Sequence, residues 1–321
     1  MGSTVEELAS QIRQLAPADY AGKLIASLRP SVRIRCVDWE EEPRLGQSRF
    51  GGWPDVPPSF EWPTCIGLSN PRWWRGYYED QYGKGLSDDT IIEGNRKTLG
   101  ELVNGPMYSR PKPLTLLAQL NLSEIPREAE LGLPDRGHLL FFCDMEDELV
   151  FGGSYEPLDR WRVYYFDVPS DALVRTPGPA DDPDNVPASC ALRFEPEWTV
   201  DEDLQYTLSD EEAKSFDRVR ELLIGNWGVA HHRLLGHPQP IQSTKFGHSA
   251  ELTLRQLGYG EDLSEAQVEE ANRAWRSLLQ LDEDGELRWS WGDAGRFHYV
   301  IRDEDLKCRR FDRVMVELQC H

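Results

Sequence analysis

The stretch Gly51–Pro63, GGWPDVPPSFEWP, holds two tryptophans and four prolines in thirteen residues. Proline fixes φ and lacks a backbone donor, so this text is neither a helix nor an interior strand. A recognition loop, a ligand for a polyproline-binding module and a rigid piece of scaffold are the three readings. Pro54 and Pro57 do form a P-x-x-P, but such ligands are usually exposed tails, and this segment stands between an alternating strand and further folded text. It reads as scaffold: a proline-locked loop crossing the edge of a sheet, with Trp53 and Trp62 packed beneath it.

Upstream, SVRIRCVDW alternates Val32, Ile34 and Cys36 with Arg33 and Arg35, the period of a half-buried strand. STVEELASQIRQL opens the chain with a capping box, Thr4 and Glu7, and apolar Val5, Leu8, Ile12 and Leu15 at helical spacing. Downstream, PLTLLAQLNLSEIP, GHLLFFCDME and DRWRVYYFDVP are strand text. RTPGPADDPDNVPAS, residues 175–189, is a Pro- and Asp-rich connection. SDEEAKSFDRVRELLI is a helix boxed by Ser209 and Glu212, and SEAQVEEANRAWRSLLQL one boxed by Ser264 and Gln267. GELRWSW, RFHYVI and FDRVMVELQC close the chain as strands.

LAQL, Leu117–Leu120, precedes GHLLFF and then RVYYFDVPSDAL, while LLQL, Leu278–Leu281, precedes GELRWS and then RFHYVIRDEDL. The shared order predicts an α+β fold built from two related β-rich units with attached helices, a duplication within one compact body spanning residues 1–321. Helices occupy 4–30, the first unit about 31–174, the connection 175–200 and the second unit about 201–321.

Charge restricts the partners. Lys+Arg 35 against Asp+Glu 56 gives −21, which repels nucleic acid and anionic membranes and suits a basic protein partner. No apolar run spans a bilayer, and MGSTVEELAS lacks the basic and apolar parts of a secretory signal. These features predict a soluble cytoplasmic protein. The six cysteines include no C-x-x-C pair and read as reduced thiols.

GGWPDVPPSFEWP, PLTLLAQLNLSEIP, GHLLFFCDME, HRLLGHPQPIQ and WGDAGRFHYVIRDEDL, in this order, resemble the YwqG-like family of bacterial proteins, a domain of unknown function. The resemblance runs from about Gly51 to the C-terminus. It implies an α+β fold with a repeated unit, no cofactor and no established enzymatic activity, and some relatives lie near genes of secreted toxins. This chain departs from the family pattern by an insertion, about 64–112, dense in aromatics. Trp73, Trp74, Arg75, Tyr77 and Tyr78 there are candidate partner contacts, because Trp, Tyr and Arg dominate binding hot spots. Folding back onto the core is the other reading.

Reactive signatures are scarce. There is no G-x-S-x-G elbow, Walker or Rossmann loop, EF-hand, or metal-binding His/Cys spacing; HHRLLGHP reads as a helix end and turn rather than a metal site. A pocket assembled from His237, Gln242, Gln119, Gln280, Trp291 and Asp293 is the alternative site, for a hydrolase or a small-molecule binder. The sequence therefore reads as a non-catalytic protein-binding module without a cofactor, of the kind that neutralises a basic toxin.

Overall fold

The computed structural model describes residues 4–40, 43–66, 111–127, 131–145, 160–179, 188–205, 208–225, 229–242, 246–256 and 263–321. Along the chain run helices α1 (Val5–Leu15), α2 (Ala18–Ser27), α3 (Asp210–Ile224), α4 (Gly247–Gln256), α5 (Glu265–Asn272) and α6 (Asp303–Lys307). The strands are β1 (Arg29–Glu40), β2 (Arg49–Gly51), β3 (Asp55–Val56), β4 (Thr64–Ile66), β5 (Pro111–Pro113), β6 (Thr115–Asn121), β7 (His138–Cys143), β8 (Trp161–Phe166), β9 (Val174–Arg175), β10 (Ser189–Thr199), β11 (His232–Leu234), β12 (Trp275–Asp282), β13 (Arg296–Arg302) and β14 (Met315–Gln319). This mixture of helix and strand is the expected α+β class. Between β4 and β5, at its two ends, the aromatic insertion lies outside the described residues, Trp73, Trp74, Arg75, Tyr77 and Tyr78 included.

The chain divides into two units, and it enters and leaves each more than once. The first comprises Met1–Glu40, Asn121–Gly137 and Cys190–His321, so β1 falls with the C-terminal strands. Its strands run in the order β14-β13-β12-β11-β1-β10. One face is apolar, with Val32, Ile34, Leu234, Leu279, Leu281, Phe297, Tyr299 and Val316 all buried. Beside the sheet, α1, α2 and α3 bury Ile12, Tyr20, Leu24, Phe216 and Val219 with Val200. The capping boxes Thr4–Glu7, Ser209–Glu212 and Ser264–Gln267 all form, satisfying first-turn donors locally.

The second unit, Glu41–Leu120 and His138–Ser189, holds strands in the order β2-β6-β7-β8 and the small pairs β3-β9 and β4-β5. The proline-rich stretch packs inside it. Phe60 meets Tyr164 edge-on at 5.3 Å between centroids, and Trp62 meets Phe142 at 5.7 Å. Trp62 Nε1 donates to the Leu114 carbonyl at 3.0 Å, while Trp53 is buried. These are the positions that the scaffold reading requires.

Three expectations change. The helix read from Ser264 to Leu281 ends at Asn272, because Trp275–Asp282 pairs with β13 on both sides of a bulge at Leu278; tertiary pairing overrides the helical text. GELRWSW is no strand: an isolated bridge, Asp284 to Trp289, closes a turn there. Two of the six thiols are not free. Cys36 and Cys190 form a disulfide with Cα atoms 5.7 Å apart, and Cys65, Cys143, Cys308 and Cys320 remain.

Candidate functional site

Opposite its apolar face, the sheet of the first unit carries a polar row set by strand register. Arg33 pairs with Arg233, Arg233 with Gln280, Gln280 with His298 and His298 with Glu317. Because side chains alternate along each strand, this in-register set shares one face across β1, β11, β12, β13 and β14. Arg33, Arg233, Gln280 and His298 are buried. A buried charge needs partners, and Glu197 of β10 supplies them: it accepts from Arg33 Nη1 at 3.2 Å and from Arg233 Nε and Nη2 at 2.7 and 3.1 Å. Burial alone would raise the Glu197 carboxyl, but the charges of Arg233 and Arg33 hold it below its ordinary value.

At the β10 side of this row lies a cleft of about 250 Å³, mouth included, lined by Trp198, Thr199, Val200, Glu202, Arg220, Leu223, Ile224, Arg233, His237 and Pro238. Burial raises the Glu202 carboxyl even though Arg220 opposes this. Arg220 Nε lies 3.1 Å from both carboxylate oxygens, yet its N–H is aligned with Oε1, and Oε2 has no hydrogen bond. His237 is held neutral, its pKa lowered to about 4 by burial and by the charge of Arg29. Its Nε2 lies 2.8 Å from the Ser27 carbonyl, and its backbone N–H donates to Thr199 Oγ1 at 2.8 Å.

The residues proposed for a pocket are therefore distributed. His237 lines the cleft and Gln280 stands behind it in the polar row. Gln242 is exposed, and its N–H donates to Gln319 Oε1 at 3.2 Å. Trp291 is buried, donating from Nε1 to the Asp282 carbonyl at 2.9 Å. Asp293 is exposed, and its carbonyl accepts from His321 N–H. Gln119 belongs to the other unit. Glu202, Arg220 and Trp198 were not singled out in the sequence; nothing local marks them, since they come from β10, the turn after it and α3.

Gln119 and Gln280 occupy similar hydrogen-bond sets in their separate units. Gln119 pairs in register with Arg49; its Oε1 accepts from Asp55 N–H at 2.7 Å, and its Nε2 donates to the Gln47 carbonyl at 3.0 Å and to Asp55 Oδ2 at 3.1 Å. Gln280 pairs with Arg233; its Oε1 accepts from Gln239 N–H at 2.9 Å, and its Nε2 donates to the His231 carbonyl at 2.9 Å and to Gln239 Oε1 at 3.0 Å. Arg49 donates to the carbonyl four residues on, at Trp53, as Arg233 does at His237. Gly52 and Gly236, each three residues after the arginine, have φ of 71° and 78°. A Cβ at Gly236 would stand 2.7 Å from Ser31 Cβ, and one at Gly52 2.9 Å from Ser189 Cβ, so both turns require glycine.

Among protein families, the one described as Domain of unknown function (DUF1963) matches residues 48–320. A comparison with curated proteins found no match.

Proposed function

Since the chain belongs to the DUF1963 family, whose description assigns no activity, we propose from its own residues that it is a non-catalytic protein-binding module with the Glu202–His237 cleft as one anchor point. The observation that carries this reading is the size and lining of the cleft. Its enclosed space is about 10 Å³, the rest of its 250 Å³ being open to solvent, so it takes no drug-sized ligand or cofactor and offers a partner side chain a shallow seat at its mouth. Trp198, Leu223, Ile224 and Pro238 supply apolar walls, and Glu202 Oε2 supplies an acceptor without a donor. An aromatic side chain with a donor at its edge, Tyr or Trp, meets both demands. The other polar groups nearby are committed to the fold: His237 to Ser27, Arg233 to Glu197 and Arg220 to Glu202 Oε1. This favours binding over a hydrolase. p-Cresol and indole serve as free probes, with backbone NMR shifts at Trp198, Glu202 and His237 as the readout. Ile224→Arg at the half-buried wall should abolish those shifts without unfolding the protein. Probes that shift none of these residues, or shift them equally in the variant, would remove the cleft from the proposal.

The net charge of −21 supports a basic protein as the partner, as for a toxin neutraliser, with Trp73, Trp74, Arg75, Tyr77 and Tyr78 adding contacts. Long-range attraction acts chiefly on the association rate. With a captured basic partner, raising salt from about 50 to about 500 mM should slow association by about tenfold or more. A salt-independent rate ends the steering argument.

We also propose that the two units are related by duplication. The paired Arg, Gln and Gly positions support this, as does the constant offset along the Arg–Gly stretch: Gln47, Arg49, Gly52, Pro54 and Asp55 lie 184 residues before His231, Arg233, Gly236, Pro238 and Gln239. By place in the sheet, RFHYVI, which borders β12, answers to GHLLFF, which borders β6, rather than to RVYYF.

A further inference from the structure

In the first unit, β1 is much longer than the strand beside it. It runs from Arg29 to Glu40, but β11 pairs with it only from Val32 to Ile34. Continued, that register would set His231, Ala230 and Val229 opposite Arg35, Cys36 and Val37. All three lie outside any strand, and the His231 N–H donates to Asp282 Oδ2 at 2.9 Å instead. On its other side β1 borders β10, where Arg35 Nε donates to Glu195 Oε2 at 2.6 Å. Among the described residues, then, β1 has an open edge from Arg35 onward. Val37, Asp38 and Trp39 are exposed in succession, with 41% of Val37 and 50% of Trp39 accessible to water.

An open edge presents a row of backbone donors and acceptors to which another extended chain can pair. We propose that the Arg35–Glu40 edge of β1 takes an extended segment of a partner protein in which apolar and basic residues alternate. This rests on the protein-binding reading above, but not on the cleft. Val37 and Trp39 share one face of the strand and Asp38 lies on the other, and residues directly opposite across an added strand share a face. An incoming chain therefore sets apolar side chains against Val37 and Trp39, and Lys or Arg beside Asp38. Local charge selects the occupant: DWEEE, residues 38–42, has four acids and no base. A second copy of β1, paired antiparallel across a two-fold axis, would bring acids against acids, which opposes cross-strand pairing. A basic strand gains where the second copy loses.

The probe is the blocked peptide Ac-Lys-Val-Lys-Val-Lys-Val-Lys-NH2, titrated into the full chain and followed by backbone NMR. Amides of residues 35–40 should shift and gain protection from hydrogen exchange. A peptide of the same composition with its valines in one block, and the analogue with Glu in place of Lys, should leave them unchanged. Asp38→Lys should weaken binding by about tenfold, since it turns an attractive cross-strand pair into a repulsive one. Trp39→Ser should weaken it as well, and both positions are exposed, so neither change should unfold the protein. Free indole reports separately on the cleft. If the peptide moves no β1 amide while indole still shifts Trp198 and His237, the edge is overturned and the cleft stands. Equal binding of the block or acidic peptide, or undiminished affinity in both variants, would also overturn it.

Discussion

Replacing Arg49 with methionine should cost about 3–5 kcal/mol of stability, enough to unfold much of the second unit under mild denaturant. Arg49 is fully buried and bonds to Asp55 Oδ2 at 2.8 Å, to the Gln47 carbonyl at 3.1 Å, to Gln119 Oε1 and to the Trp53 carbonyl. Burial alone would raise the Asp55 carboxyl; the hydrogen bond and charge of Arg49, joined by Arg175 and Gln119, hold it below its ordinary value. Methionine fills similar volume but strands that carboxylate with Arg175 as its remaining cation, 2.9 Å away and partly exposed. Arg233→Met in the first unit should cost less, because Glu197 keeps Arg33 as a buried partner. The double variant Arg49→Met/Asp55→Asn should recover part of the loss, since it removes both charges. Urea midpoints read all three. A loss below about 1 kcal/mol for Arg49→Met would mean that Asp55 is not the anion held by this arginine.

What could be read from the sequence divides along a physical line. Local signals were legible: the three capping boxes, the alternation of β1 and the proline-locked stretch under which Trp53 and Trp62 pack each follow from neighbours a few residues apart. Register was not. Nothing in HRLLGHP announces that Arg233 will stand opposite Gln280, and nothing near Glu202 announces Arg220 of α3. Gln119 and Gln280 were recognisable as amides in apolar text that must find partners, and the partners they find, Asp55 at the start of β3 and Gln239 after the Gly236 turn, are brought near only by the fold. The false extension of α5 has the same origin. ANRAWRSLLQL is compatible with helix, and its pairing with β13 decides otherwise.

Reduction of the Cys36–Cys190 disulfide should destabilise the protein by about 5 kcal/mol and lower its melting temperature by on the order of 10 °C. The bond links neighbouring strands β1 and β10 at a sequence separation of 154. In the chain-entropy account, a loop of that length is among the more costly to close, so most of the effect comes from restricting the unfolded chain. The loop it closes includes all the residues of the second unit, from Glu41 to Ser189. Cys36→Ala/Cys190→Ala should therefore melt with the reduced wild type, and added reductant should leave the variant unchanged. Alanine is the better replacement here, because Cys190 is buried and a serine hydroxyl would add a polar group to the same site. A thiol count in denaturant without reductant provides the independent check: four of the six cysteines should react in the oxidised protein and all six after reduction. Six reactive thiols in the untreated protein, together with a melting temperature indifferent to reductant, would show that the two sulfurs are neighbours without a bond.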